Sequence, residues 1–282
     1  MAWYSLLKGR GSMALGEVSA AEVFEEVWAN AGEIDGETAA LGLRPATEAE
    51  LLAGMLCVDS VLLREAEIER ATQTVAKQIL RDEFQRYAEE GEDYREPVIV
   101  GLLNGGVPFA VDLVQEISRY VIPVEGKDRP FHLDLDLVFI NPSMYEDEMV
   151  PGEPKFSKGY TDKELVRLSG RHIIYADDGS DLGGTLTYTV EETKRQLTGT
   201  VNLPVKEEGV VVEVKEQQLE KPASSRTAVL WVKPDSTVQP NYVGVHIGRP
   251  WINGYGCNTM VDGGDSVGRN IRFIAESANQ PK

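Results

Sequence analysis

Apolar and polar positions follow different periods along this chain, and the change between them divides it into two regions. Before residue 58, apolar side chains at helical spacing predict two amphipathic helices, one over Ser19–Ala29 and one that begins near Thr47. We therefore expect residues 1–57 to form a helical N-terminal extension, which either covers the rest of the protein or mediates association. Residues 58–282 then form the main domain.

Strand-like and helix-like segments alternate in the main domain. Apolar or alternating runs predict strands, and helical spacing predicts helices, over these segments in turn: helix Arg64–Tyr87, strand Pro97–Leu103, helix Pro108–Tyr120, strand His132–Ile140, strand His172–Ala176, and a helix from about Thr185. This order is typical of a parallel sheet with helices on its faces. A polar stretch over residues 141–160 is predicted to be a mobile loop, and an insertion near residues 198–225 is predicted to add a hairpin strand.

Composition narrows the class of protein. The 282 residues are 42% hydrophobic and 26% charged, which is typical of a globular chain. Forty-six acidic residues against 28 basic ones give a net charge of −18, and such a surface repels nucleic acid. Apolar runs such as Ala228–Val232 are far shorter than the roughly 20 residues of a membrane span, so no membrane partner is expected. Two cysteines, Cys57 and Cys257, make no disulfide framework, and a reduced, cytoplasmic setting is expected.

The strongest chemical signal is a strand that ends in acids. The apolar residues 173–176 precede Asp177 and Asp178, and a short loop with Asp181 and two glycines then opens a helix. Glycines let backbone N–H groups approach an anion, and a helix N-terminus adds partial positive charge. Adjacent acids suit sugar hydroxyls or a hard divalent cation, and an acid in the loop could accept a proton from a substrate nitrogen. An acidic surface turn with a helix cap is the alternative.

This segment resembles the phosphoribosyl diphosphate (PRPP) binding loop of the type I phosphoribosyltransferases. Further segments, in the same order, are similar to the hypoxanthine-guanine branch of that family: Val61–Arg70, Gly101–Gly106, Ser143–Tyr145, Asn241–Gly244, Trp251–Gly256 and Arg269. The resemblance spans about residues 58–276. It implies an α/β fold, with a twisted, mainly parallel five-stranded sheet flanked by helices, a small hood and a flexible lid loop.

The resemblance also implies an activity. The protein would be a transferase of purine salvage that moves the 5-phosphoribosyl group from Mg-PRPP to a purine base, expected to be hypoxanthine or guanine, and releases pyrophosphate. Mg²⁺ is the implied cofactor, and PRPP and a purine base are the implied ligands. A homo-oligomer, either a dimer or a tetramer, is expected.

Site roles follow from the same resemblance. Asp181 would be the general base, and Asp177 and Asp178 would bind the ribose hydroxyls and, with Asn258, the metal. Other contacts to PRPP would come from Asn104, Gly105, Leu182, Gly183, Gly184, Thr185 and Arg269. Contacts to the base would come from Gln239, Trp251 and Ile252.

Three positions depart from the pattern of the branch. Leu182 stands where a threonine is expected, Gln239 where a lysine is expected, and Asn258 where an aspartate is expected. A second hypothesis therefore stays open: a catalytically weak or inactive protein that binds PRPP or a nucleotide and acts as a regulatory or interaction module. Cys257, beside the expected base pocket, is either a reactive thiol or a small buried side chain.

Overall fold

The computed structural model describes residues 58–127, 129–146, 150–207, 210–249 and 252–255, together with 257, 259–260, 266–267 and 274–277. The two helices expected before residue 58 lie outside these residues, and so do the site candidates Trp251, Asn258 and Arg269.

The helices and strands that the apolar pattern predicts for the main domain are present, and further elements lie between and after them. In chain order they are β1 (Val58–Leu63), α1 (Glu65–Glu90), β2 (Val98–Leu102), α2 (Val107–Ile117), β3 (Asp136–Glu146), β4 (Val150–Lys158), α3 (Asp162–Leu168), β5 (His172–Ser180), α4 (Gly184–Gln196), β6 (Thr200–Glu207), β7 (Val210–Gln218), β8 (Ser224–Val232), β9 (Tyr242–His246), β10 (Ile252–Asn253), β11 (Thr259–Met260), β12 (Ser266–Val267) and β13 (Ile274–Ser277). A short 3₁₀ turn, Gly91–Asp93, ends α1.

The central sheet has six strands in the order β4-β3-β2-β5-β8-β9. The five strands from β3 to β9 are parallel to one another, which confirms the predicted parallel core. Every residue of β2 is buried, because helices cover both faces of a parallel sheet. Ile99 packs toward α1 and α2, whereas its neighbours Val98 and Val100 pack toward α3 and α4.

The expectation of a mobile loop over residues 141–160 was wrong for most of that stretch. Strand β3 continues to Glu146 and pairs with β4 in an antiparallel hairpin at the edge of the sheet. The prolines that suggested a loop are tolerated because an edge strand needs bonds on one side only. The pairing has register shifts between Asn141 and Pro142 and between Ser143 and Tyr145.

Two smaller units are built on this sheet. Strands β6 and β7 form an antiparallel hairpin within the insertion near residues 198–225, as the alternating valines predict. Strands β1, β13 and β10 form a three-stranded antiparallel sheet that joins the first described strand to the last one. We identify this sheet with the hood that the resemblance implies, although it includes β1 as well as strands from the C-terminal part of the chain. No helix in the described part of the chain is long and apolar enough to cross a membrane.

Candidate functional site

The carboxyl ends of β2, β5 and β8 lie side by side in the sheet, and the loops that follow them form the candidate site. In parallel sheets this edge is where ligands bind. Strand β5 is longer than expected: it continues past Ala176 because Gly179 and Ser180 still pair with Trp231 and Val232 of β8. Asp177 and Asp178 therefore lie on a strand and not in a loop.

The two adjacent acids are fixed by the backbone. The Asp178 N–H group donates to Asp177 Oδ1 at 3.0 Å, and the Gly179 N–H group donates to Asp178 Oδ1 at 3.0 Å. Asp177 is buried, and burial followed by the neighbouring Asp178 charge raises its pKa well above the ordinary value. A desolvated pair of like charges favours a bound cation or hydroxyl donors.

Two glycines bring the loop after β2 against these acids. A Cβ atom on Gly105 would lie 2.6 Å from Asp178 Oδ2, and one on Gly106 would lie 2.9 Å from the Asp177 Cα atom. Only glycine fits such an approach, so the loop and the acids share one site. Asn104 is exposed at the tip of the loop, and the Leu103–Asn104 peptide bond is cis.

The loop after β5 forms an opening for an anion at the start of α4. Gly183 has φ +85° and lies against Val238, so a side chain there would be strained and would clash. None of the first-turn residues of α4, which include Gly184 and Thr185, is acidic. The backbone N–H groups of this turn can therefore receive a phosphate.

The loop between β8 and β9 holds this opening in place. Thr237 donates to the Leu182 carbonyl through its N–H group at 3.2 Å and its hydroxyl at 2.7 Å. The Leu182 side chain itself is 64% exposed. Gln239, expected at the base, is exposed in the same loop.

Lys233 lies at the candidate site, although the sequence did not identify it as a candidate. Its ammonium lies 3.1 Å from Asp181 Oδ1, and its side chain is only 6% exposed. The Lys233 N–H group also bonds the Ser180 carbonyl at 3.0 Å, which ties the ends of β5 and β8 together. The signal was available: Lys233 directly follows the apolar run 228–232, as Asp177 follows 173–176. The site thus holds an acid and a shielded cation in contact.

The hood contributes Ile252 and Cys257. Ile252 begins strand β10 of the hood, and its side chain is buried against the hydrophobic core. The Cys257 thiol donates to Asp178 Oδ2 at 2.8 Å, and the Tyr255 hydroxyl donates to Asp112 Oδ2 of α2 at 2.6 Å. Burial, then the Asp178 charge, raises the pKa of the Cys257 thiol well above the ordinary value, which favours the buried, unreactive alternative.

Metal binding by protein groups alone is not supported. Within the ranges the structure covers, no three His, Cys, Asp or Glu side chains form a cluster that could hold an ion. Two adjacent carboxylates do suit Mg²⁺, which commonly takes one or two acids and completes its shell with water and substrate phosphates.

The known proteins that are similar to this chain are phosphoribosyltransferases. Residues 62–197 match the model of the phosphoribosyl transferase domain. A hypoxanthine-guanine phosphoribosyltransferase of Streptococcus pyogenes is 26% identical over 161 residues, which cover 56% of this chain and 75% of that protein. The bifunctional protein TilS/HprT of Listeria innocua is 25% identical over 200 residues, or 71% of this chain, but the match spans only 24% of the larger protein.

Solved structures share the fold. A hypoxanthine-guanine phosphoribosyltransferase of Bacillus anthracis superposes with a TM-score of 0.52 at 24% identity, covering 78% of this chain and 98% of that one. A hypoxanthine phosphoribosyltransferase of Trypanosoma cruzi gives 0.53 at 22% identity, covering 79% and 93%.

Proposed function

We propose that this chain, which matches the model of the phosphoribosyl transferase domain and is similar to enzymes of the hypoxanthine-guanine type, is a divergent phosphoribosyltransferase that transfers the 5-phosphoribosyl group of PRPP to a purine base. Pyrophosphate is released in this reaction. The proposed acceptor is a 6-oxopurine, hypoxanthine or guanine, and the proposed role is purine salvage.

PRPP binding is supported by the three loops at the carboxyl edge. The N–H groups at the start of α4, with the Thr185 hydroxyl, would receive the 5-phosphate. Asp177 and Asp178 would accept hydrogen bonds from the ribose hydroxyls. Gly105 lies against Asp178, so the loop that carries Asn104 would contact the pyrophosphate on the far side of the ribose.

The ion pair of Asp181 and Lys233 supports the choice of base. Asp181 is 46% exposed, so its carboxylate can reach a base nitrogen and accept its proton. Lys233 carries only donors, so it can bond the exocyclic oxygen of a 6-oxopurine but cannot accept from a 6-amino group. This single contact, an acid beside a shielded cation, carries the proposal of an oxopurine acceptor.

Asp177 and Asp178 would hold Mg²⁺ together with PRPP. When bound, the ion would neutralise charge that develops on the departing pyrophosphate. The burial of Asp177 beside a second acid supports this role, because a bound cation would offset the repulsion between the two acids. Asn258, the third expected contributor, belongs to the residues that are not described.

The test is pyrophosphate release from Mg-PRPP with hypoxanthine, guanine, xanthine, adenine and uracil. We expect release with a 6-oxopurine. Release with adenine or uracil alone would contradict the proposed acceptor. Binding of PRPP, seen as a raised Tm, without release for any base would favour the interaction module, which the exposed Leu182 in the phosphate loop makes a specific alternative.

A further inference from the structure

The Asp178 carboxylate is held on both of its oxygens. Oδ1 accepts the Gly179 N–H group at 3.0 Å, and Oδ2 accepts the Cys257 thiol at 2.8 Å. Gly105 passes so close that a Cβ atom there would lie 2.6 Å from Oδ2. Each carboxylate oxygen has a second lone pair, so Asp178 can still accept from a ligand on both oxygens.

The thiol that reaches Asp178 is itself held in place by a turn of the hood. Gly254 and Cys257 exchange both backbone hydrogen bonds, at 3.1 and 3.0 Å. Between them Tyr255 takes φ +44°, and its hydroxyl donates to Asp112 Oδ2 at 2.6 Å. The turn is thus anchored to α2, and Cys257 lies 79 residues from Asp178 in the chain.

Trp231 packs in the same buried core as Cys257. Its indole Nε1 atom is buried and has no hydrogen-bond acceptor among the described residues. The indole ring lies on Gly179, where a Cβ atom would be 1.9 Å from a ring carbon. The Cys257 thiol is therefore shielded from water where it meets Asp178.

We propose that Cys257 is a positioning residue for PRPP: its S–H group holds the Asp178 carboxylate in the orientation in which it binds the ribose hydroxyls. The proposal rests on the proposed function. A thiol suits this task because it is a weak donor, so it orients the acid and competes little with the stronger ribose hydroxyls.

The test compares Cys257→Val, which removes the donor at nearly the same volume, with Cys257→Ser, which keeps one. For Cys257→Val we expect KM for PRPP to rise about twofold to tenfold, as for the loss of one hydrogen bond, while KM for the base stays unchanged. Cys257→Ser should return KM for PRPP to within about twofold of the unsubstituted protein, since its hydroxyl is a donor. Melting temperatures of both variants report whether each one folds.

Two outcomes would overturn the inference while the proposed function stands. In the first, the unsubstituted protein turns over and both variants have its KM for PRPP. In the second, both variants raise the two KM values together, as a packing defect would. If the unsubstituted protein neither turns over nor binds PRPP, the proposed function fails and the inference fails with it. If it binds without turnover, the PRPP dissociation constants of the same three proteins replace KM.

A measurement independent of activity uses the infrared S–H stretching band. In a Cys57→Ser background only Cys257 contributes to this band. We expect it at lower frequency than a free thiol and expect Asp178→Asn to shift it. A band at the free-thiol position in the Cys57→Ser protein with Asp178 intact would overturn the proposed contact.

Discussion

Buried charges lie at both ends of the central sheet, but the two groups are built differently. At the amino end, Glu83 is bound by Arg86 at 2.7 Å and by the Tyr94 hydroxyl at 3.2 Å. At the carboxyl end, the nearest charge to the buried Asp177 is another acid, Asp178. Burial raises the pKa of both acids, yet Arg86 opposes the rise at Glu83, whereas Asp178 adds to it at Asp177.

The difference is the one we expect between a structural cluster and a binding site. At the amino end Arg226 also bonds Asp82 at 2.6 Å, so Glu83 and Asp82 are each paired with an arginine. At the carboxyl end two acids are adjacent and one of them is buried. Because perturbed pKa values of this kind are typical of functional sites, we propose that a bound ligand offsets the repulsion between Asp177 and Asp178.

The largest effect on activity is expected for Asp181→Asn. Loss of the general base should lower kcat by about 10²–10⁴, with little change in Tm. The measurement is pyrophosphate release. Asp235→Asn is the matched control, because Asp235 is 45% exposed and bonds Arg249, much as Asp181 is 46% exposed and bonds Lys233. Unchanged turnover in Asp181→Asn would support the interaction module.

The largest effect on stability is expected at the other end of the sheet. Arg86→Met leaves Glu83 buried without its cation, which should cost about 3–5 kcal/mol at neutral pH. Because loss of Arg86 raises the pKa of Glu83 further, the loss should shrink as pH falls and Glu83 takes up a proton. Denaturant unfolding at two pH values measures the loss of stability at neutral pH and its decrease at lower pH. Lys194→Met, an exposed partner of Glu191, is the control.

Lys233→Met should change the choice of base. Loss of a hydrogen bond from a charged donor is worth about 1.5–3 kcal/mol, or roughly 10- to 100-fold in kcat/KM for hypoxanthine and guanine. KM for PRPP should change much less, since the proposed contact is to the base. Equal losses for both substrates would show that Lys233 only supports the loop.

Asp177→Asn should stabilise the protein while it weakens PRPP binding. The raised pKa means that the folded state keeps its proton to higher pH than the unfolded chain does, so stability falls as pH rises above about 4. The asparagine variant lacks this decline. A gain of about 1 kcal/mol at neutral pH would raise Tm by about 2–4 °C. The unfolding free energies of the two proteins are compared from pH 4 to 8 with a chelator present. A difference between them that stays constant over this range would contradict the assignment.

The smallest effect is expected for Leu182→Thr. A hydroxyl in the phosphate loop adds one hydrogen bond, worth about 0.5–1.5 kcal/mol, and should lower KM for PRPP by about twofold to tenfold. Val121→Thr, an exposed apolar position that follows α2, is the control and should leave KM unchanged. A higher KM in Leu182→Thr would show that the leucine itself contributes to binding.

The local hydrophobic pattern of the sequence was enough to predict the parallel core and to identify the acids of the candidate site. Apolar runs followed by polar loops identify β2, β5 and β8, because strands buried on both faces carry continuous apolar sequence. The same rule places Asp177, Asp178 and the turn at Gly183 on one edge of the sheet. The hairpin of β3 and β4 was missed, because prolines indicate a loop unless an edge position is known.

Contacts between distant segments were decided only by the tertiary structure. The sequence by itself determined that acids follow the apolar part of β5, but not that Lys233 meets Asp181 or that Cys257 meets Asp178. Those pairs depend on which strands are neighbours and on where the hood folds back. Strand register and side-chain packing determine both of these arrangements. Neither can be read from the hydrophobic periodicity of a short segment of sequence.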